Sequence, residues 1–341
     1  MVSIKDLSLA CGVSTATVSK ALNNHKDVSE ETKERIRKMA RDMGYVPNFA
    51  SKVLKTNRTY NIGVVFSDEA GSGLTHDYFA MVLNGLKCTI EEKGYDFTFV
   101  NKNGSISTWD NGVTYLEHCK FRRFDGVAVI CTDFYSPEII ELIESDIPIV
   151  TFDYIFNDRS AVVSDNVRGI RDLVHYVYEM GHRRIAYIHG TDSAVTRNRI
   201  SSFYKTCEEL GIDVPPEYMR EAPYRDTTAT YLRTKELLEL KERPTCIMFP
   251  DDFAYIGGFN AITLAGLKVP DDISTVGYDG IEISKYLEPS LTTLAQDGYR
   301  LGQETANKLI SIIEHPKTSL VEHIFIEGKI FPGRSVKKLT T

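Results

Sequence analysis

Apolar residues recur along this chain with two different periods, and the change of period divides it. From residue 4 to residue 43 the spacing is helical: Ile4, Leu7 and Ala10, then Val18, Ala21 and Leu22, then Ile36, Met39, Ala40 and Met43. Three short helices are predicted. Ser3 caps the first, with Asp6 three residues on in capping-box position. Gly12-Val13-Ser14 reads as a tight turn, in which Gly12 tolerates a left-handed backbone, Val13 plugs the space between helices and Ser14 caps the second. Ser29 caps the third, with Glu30 and Glu31 at the positive end of its dipole, and Gly44 ends it. Beyond residue 60, short apolar runs alternate with helical patterns. The strand-like runs are 62–66, 97–100, 126–130 and 147–151, with helical patterns at 78–93, 109–120 and 137–144 between and after them. The alternation resumes with helix 167–180, strand 185–188, helix 197–210, strand 246–249, helix 253–264, strand 274–278 and helix 300–313. Such alternation implies parallel sheets with helices on both faces, and ligands at the carboxyl ends of the strands.

The outer face of the second helix carries Thr15, Ala16, Ser19 and Lys20, none apolar beyond a methyl. A small, hydroxylated, basic face suits a DNA major groove; the plainer reading is a helical hairpin with a solvated face. Charge favours the first. Residues 1–60 carry 11 lysines and arginines against 6 acids, whereas the remainder carries 29 against 41. A basic head on an acidic body points to a polyanion partner for the head only. The six cysteines are scattered without a CxxC pair, and no histidine falls in an HExxH pattern. They read as buried small residues in a reducing cytoplasm, with no metal site and no cofactor expected. Neither a P-loop nor a dinucleotide fingerprint is present, because Gly71-Ser72-Gly73 lacks the third glycine. No apolar run approaches a membrane span, and MVSIKDLS lacks a signal-peptide core.

The three helices are followed by a Pro47-Asn48 break, a short basic stretch at 49–55 and a β-rich start at Ile62. In this order they resemble the lactose-repressor (LacI/GalR) family of bacterial transcription factors, and the resemblance covers nearly the whole chain. It implies a helix-turn-helix head at 1–46, a hinge at 47–59, and an α/β two-lobed periplasmic-binding-protein-like domain at 60–341. The near lobe is expected at about 60–161 and 293–322, the far lobe at about 162–291 and 323–341. The chain is expected to cross between them near 160–165, 291–293 and 322–325. Thr15, Ala16 and Lys20 match base-contacting positions: Lys20 can donate to guanine and the Ala16 methyl can touch a thymine methyl. Ser14 and Ser19 suit phosphates, which position the helix without reading sequence. Asn48 can cap a hinge helix too short to be stable alone. The resemblance makes Leu54 a wedge into the central base step of an operator, flanked by Lys52 and Lys55, with an ordinary packing leucine as the alternative. Ser51 stands where alanine is frequent.

A cleft between two lobes is a natural effector site. Asp165 (beside Asn166), Arg197, Arg199 and Asp252 match cleft positions; helix capping and surface ion pairs are the competing roles. Carboxylates and a guanidinium suit sugar hydroxyls. Tyr78 and Phe79 match aromatic flanking positions, Asp77 is a candidate ligand or cap, and Trp109 can stack or pack. Ser201-Ser202, Gly280 and Asp297 depart from the family pattern and leave effector identity open. Only VKKLTT follows the Phe331–Ser335 stretch, which favours a homodimer over a tetramer. The expected function is a repressor of carbohydrate-utilisation genes. It would bind a palindromic double-stranded DNA operator as a homodimer, with affinity set by a sugar or sugar phosphate. Alternatives are a purine or nucleoside effector and a protein coregulator. A solute-binding protein is disfavoured by the head, and an enzyme by the absence of a catalytic constellation, since adjacent Asp251-Asp252 need not flank a bond.

Overall fold

The computed structural model describes residues 2–46, 53–54, 56–67, 73–101 and 113–339. It divides into two units, Met1–Thr59 and Tyr60–Thr341. The first holds helices α1 (Ile4–Cys11), α2 (Thr15–Leu22) and α3 (Glu30–Asp42). Ser3 accepts from the Asp6 amide and Asp6 from the Ser3 amide, closing a capping box. Ser14 and Ser29 cap α2 and α3 through the amides of Thr17 and Thr32. Gly12, with φ 63°, makes the turn. Leu7, Val18, Ala21, Ile36 and Ala40 form the core, with Val13 and Leu22 packed at its margin. Leu54 lies in a helical turn and is 83 % exposed. Asn48, Ser51, Lys52, Lys55 and Trp109 lie outside the described residues.

The second unit contains two six-stranded sheets. In the first, β1 (Asn61–Phe66), β2 (Asp96–Phe99), β3 (Gly126–Ile130), β4 (Ile149–Phe152), β5 (Ser160–Ser164) and β11 (His323–Ile326) run in the order β11-β5-β4-β3-β1-β2. In the second, β6 (Ile185–His189), β7 (Met219–Glu221), β8 (Cys246–Met248), β9 (Ser274–Asp279), β10 (Thr292–Ala295) and β12 (Lys329–Phe331) run β12-β10-β9-β8-β6-β7. All pairs are parallel except β10 with β12. Side chains alternate between two buried faces. On β1, Ile62 and Val64 enter one cluster and Val65 the other; on β6, Ile185 and Tyr187 separate from Ala186 and Ile188 in the same way.

Helices cover both faces. The first lobe has α4 (Asp77–Glu92), α5 (Tyr115–Arg122), α6 (Pro137–Ile143) and α12 (Gly298–Glu314). The second has α7 (Asn166–Glu179), α8 (Ala194–Glu209), α9 (Thr227–Leu238), α10 (Tyr255–Leu264) and the single turn α11 (Ile283–Tyr286). Among the described residues no helix is long and apolar enough to cross a membrane.

The first crossing, after Ser164, falls within the expected 160–165, whereas the lobe boundaries at 291–293 and 322 are corrected. β5 and β11 complete the first sheet, pairing Val162 with Phe152 and Ser164 with Ile326. β10 completes the second, pairing Thr292 with Val276. The chain therefore crosses after Ser164, after Ala295, and between Ile326 and Lys329. An apolar strand pays for its backbone desolvation only by finishing its ladder, so the crossings follow the strands and do not interrupt them.

Candidate functional site

The cleft of the second unit is a cavity of about 440 Å³ at the carboxyl ends of the strands. Three residues at strand ends have left-handed backbones although none is glycine: Cys131 after β3 (φ 48°), Asp153 after β4 (φ 55°) and Asp279 ending β9 (φ 105°). All three line the cleft. Such conformations cost of order 1–3 kcal/mol each and concentrate at functional sites.

Arg199, on the first turns of α8, is 4 % exposed and faces these carboxylates. Its Nε donates to Asn166 Oδ1 at 2.7 Å and its Nη1 to the Pro250 carbonyl at 3.2 Å. Its guanidinium lies 3.6 Å over the Tyr278 ring. Tyr278 Oη also donates to Asn166 Oδ1, and Asn166 Nδ2 donates to the Ser164 carbonyl, so the arginine is fixed from behind. Burial opposes its charge, but the surrounding phenols and the Asp279 carboxyl offset this and keep the guanidinium protonated.

A hydrogen-bonded chain joins the two carboxyls. Asp153 Oδ1 accepts from the Ser164 amide at 2.7 Å, Ser164 Oγ donates to Gln296 Oε1, and Gln296 Nε2 donates to Asp279 Oδ1 at 2.7 Å. Burial raises Asp153 to about 6, against the Ser164 amide and Arg199. Burial also raises Asp279 to about 7, opposed by Arg199 and assisted by Asp251. Tyr78 Oη is buried facing the Asp153 carboxyl, and burial beside Asp153 and Asp279 lifts that phenol well above its usual value.

Aromatic rings wall the cavity: Tyr78, Phe79 and Phe152 on one side, Phe134 stacked on Tyr154 at 4.6 Å on another. Two arginines tie the lobes at the rim. Arg197 donates to Tyr135 Oη at 2.9 Å and to Asp192 at 2.8 Å. Arg225 donates to Asp77 at 3.2 Å and lies over the Phe253 ring.

Of the residues singled out in the sequence, Tyr78, Phe79 and Arg199 line the cleft. Four others are placed differently. Asp165 caps α7 by accepting from the Arg168 amide. Asp252, fully buried, accepts from Thr293 Oγ1 at 2.6 Å and the Ile281 amide at 3.0 Å, below the cleft and not in it. Arg197 and Asp77 hold the rim through the pairs just given. The three departures also have local causes. Ser202 Oγ donates to the Val167 carbonyl, tying α8 to α7. Gly280 has φ 70°, and a Cβ there would stand 2.3 Å from Ala295 Cβ. Asp297 caps α12.

Sequence reasoning missed Asp153, Asp279 and Gln296 as cleft residues. A signal was available: each aspartate is the first charge after a buried parallel run, IVTF and STVGY. On α2 of the head, Ser14, Thr15, Ala16 and Lys20 are exposed and Ser19 is half-buried, while Val18 and Ala21 face the core. Lys20 Nζ pairs with Asp27 at 2.5 Å, with both side chains about half exposed. Ser14 Oγ is also occupied in capping.

A helix-turn-helix head and a two-lobed strand-end cleft on one chain define a DNA-binding transcriptional regulator with a periplasmic-binding-protein-like sensor. Comparison with known proteins makes this specific. The model for bacterial regulatory proteins of the lacI family matches residues 3–48, and that for a periplasmic binding protein-like domain matches residues 174–336. The probable HTH-type transcriptional repressor ExuR of Bacillus subtilis (strain 168) is 31 % identical over 345 residues, covering 100 % of both chains. The HTH-type transcriptional repressor PurR of Mannheimia succiniciproducens is 30 % identical, covering 99 % of this chain and 100 % of that one. The chain belongs to the LacI family. Its fold matches the lac repressor dimer bound to operator and the anti-inducer ONPF (TM-score 0.79, 23 % identity, 98 % of this chain and 99 % of that one). It also matches the regulator CelR in complex with cellobiose (TM-score 0.70, 22 % identity, 98 % and 100 %).

Proposed function

We propose that this chain represses carbohydrate-utilisation genes as a homodimer on a palindromic operator, its affinity set by a sugar or sugar derivative in the interlobe cleft. The observation that carries this reading is the convergence of Arg199, Asp153 and Asp279 in an aromatic-walled cavity of about 440 Å³. A carboxylate accepts from sugar hydroxyls, the guanidinium donates to their oxygens, and a ring covers a C–H face. The cellobiose held by CelR and the operator-bound dimer of the lac repressor support the same arrangement. Thr15, Ala16 and Lys20 read the major groove, Ser14 and Ser19 meet phosphates, and Leu54 with Lys52 and Lys55 enters the minor groove. Effector and operator are coupled reciprocally.

A purine or nucleoside is the second reading, favoured by the stacked Phe134–Tyr154 pair and by relatives named PurR. A thermal-shift screen of sugars, sugar phosphates and purines separates the two. A binder at a hundred times its Kd stabilises by about 2.7 kcal/mol. Stabilisation by purines alone moves the conclusion to the second reading. Absence of salt-sensitive, sequence-selective binding to any genomic duplex, with or without metabolites, refutes both.

A further inference from the structure

Asp27 puts a negative charge where a DNA reader has least use for one. It follows α2, and Lys20 is the one cationic side chain of that helix. Asp27 Oδ2 accepts from Lys20 Nζ at 2.5 Å, with both side chains about half exposed. The segment between α2 and α3 fixes this geometry. Asn23 Nδ2 donates back to the Ser19 carbonyl at 2.7 Å, and the His25 amide donates to the Lys20 carbonyl at 3.0 Å. Asn24 turns the chain with φ 59° and accepts from Arg37 Nη2 on α3 at 3.2 Å. Val28 is then buried in the core of the head, and Ser29 caps α3. Asp27 is thus set against the last turn of α2 while another residue supplies the cap. The Lys20 bond holds its carboxyl below the usual carboxylate range, so the pair is ionic at neutral pH.

An exposed ion pair adds little to folding. Its consequence lies in what it does to the lysine. A lysine without a partner is a flexible point charge that any phosphate satisfies. An ammonium has three donors. With one of them on Asp27 the head group is pinned, and the two that remain match the two acceptors of guanine, O6 and N7. The carboxylate also repels phosphate oxygens, which disfavours duplex of the wrong sequence.

We propose that Asp27 is a specificity-determining positioning residue of the DNA reader: it withholds the Lys20 ammonium from phosphates and aims it at guanine. General affinity is lowered and discrimination gained. The inference rests on the base-reading role given to Lys20 above and adds the residue through which that role is exercised.

The test uses the full-length protein and a library of duplexes randomised over about 20 base pairs, enough for two half-sites one helical turn apart. Duplexes retained by wild type, Lys20→Ala, Asp27→Asn and the double variant are sequenced, with and without a boiled extract of cell metabolites. Fluorescence anisotropy then measures the best wild-type duplex, its single-base variants and a scrambled duplex between about 50 and 200 mM salt. Lys20→Ala is expected to erase a guanine preference at one position of each half-site, worth about 10- to 100-fold in wild type. Asp27→Asn is expected to cut that preference at least about threefold and to bind the scrambled duplex more tightly. Its log K should depend on log salt more steeply by about one, as the released lysine takes a phosphate. With alanine at position 20, the Asp27 substitution should change the preference no further. Asp27→Ala serves in its place if the asparagine variant melts early. A guanine preference that Lys20→Ala erases and Asp27→Asn leaves whole overturns the role of Asp27 and keeps the reading of Lys20. A uniform rise in affinity with no loss of preference does the same, since that is charge screening alone. Preferences untouched by Lys20→Ala refute the Lys20 reading and this inference with it. A wild type that selects no sequence refutes operator binding and both.

Discussion

Asp153→Asn tests the electrostatics of the cleft without removing its shape. Asp153 has a folded-state pKa of about 6 against an ordinary 3.8, raised by burial. The groups facing it are the Ser164 amide, the Tyr78 phenol and the Arg199 guanidinium. Because the folded pKa is the higher one, the folded state holds a proton that the unfolded chain has already released between about pH 4 and pH 6. Stability from this group is therefore fully present below about pH 4 and lost as pH rises through 6. A shift of roughly 2 units at 1.36 kcal/mol each makes the ionised carboxylate cost about 3 kcal/mol at pH 8. Asparagine keeps an oxygen for the Ser164 amide and carries no charge. The variant is expected to be more stable than the parent by up to about 3 kcal/mol at pH 8, and by about half that at pH 5. At 2–4 °C per kcal/mol, Tm should rise by roughly 5–10 °C at pH 8. Thermal unfolding of both proteins at pH 5, 6, 7 and 8 measures the difference, in which the other titrating groups cancel. Parallel Tm curves across that range would refute the reasoning. The gain should come with weaker effector binding, since a charged acceptor has become a neutral one.

Other substitutions probe other parts. Arg199→Lys cannot keep both the Asn166 bond and the stack on Tyr278, so effector affinity should fall by about 2–3 kcal/mol in calorimetry while effector-free operator binding is retained. Lys20→Ala should change which operator base is preferred by about 1–3 kcal/mol; equal weakening across all operator variants in a binding panel would show only phosphate attraction. Gly280→Ala meets Ala295 at a left-handed backbone, and chemical denaturation should record a loss of about 2–4 kcal/mol.

Much of this architecture can be read from residue spacing, and the exceptions have physical causes. α9 escapes pattern reading because two of its inward positions are Thr230 and Thr234, whose methyls pack while their hydroxyls erase the apolar stripe. Thr234 satisfies its hydroxyl on the Thr230 carbonyl one turn back. β10 and β11 are four residues each and sit at lobe crossings, where a short run is indistinguishable from a linker until its ladder is seen. In the site, Asp252 and Asp279 both stand at the carboxyl ends of buried runs. What separates them is backbone direction: the left-handed φ of Asp279 turns its side chain into the cavity, whereas Asp252 turns under β9 toward Thr293. Spacing carries no sign of that turn. The head was more legible because its capping residues and turn glycine act within four positions of one another.

The placement of the carboxyl-to-carboxyl chain bears on how a small ligand can act on so large a unit. Ser164 ends β5 and Gln296 follows β10, so both stand where the chain passes between lobes. Asp153 belongs to the first sheet's strand ends and Asp279 to the second's. A rotation of one lobe against the other must stretch the Ser164–Gln296 bond, and opening the rim must also break Arg197–Tyr135 and Arg225–Asp77. Each such bond contributes about 0.5–1.5 kcal/mol net, with the two rim pairs toward the lower end because Asp77 and Tyr135 are largely exposed. Three of them total a few kcal/mol, comparable to the differential affinity needed to move a two-state equilibrium from mostly open to mostly closed. A ligand bonded to Asp153 and Asp279 together touches both lobes and would be lost from one of them on opening. It therefore favours the closed state by the contacts it cannot make in the open one, which is the condition a ligand must meet to shift a population at all.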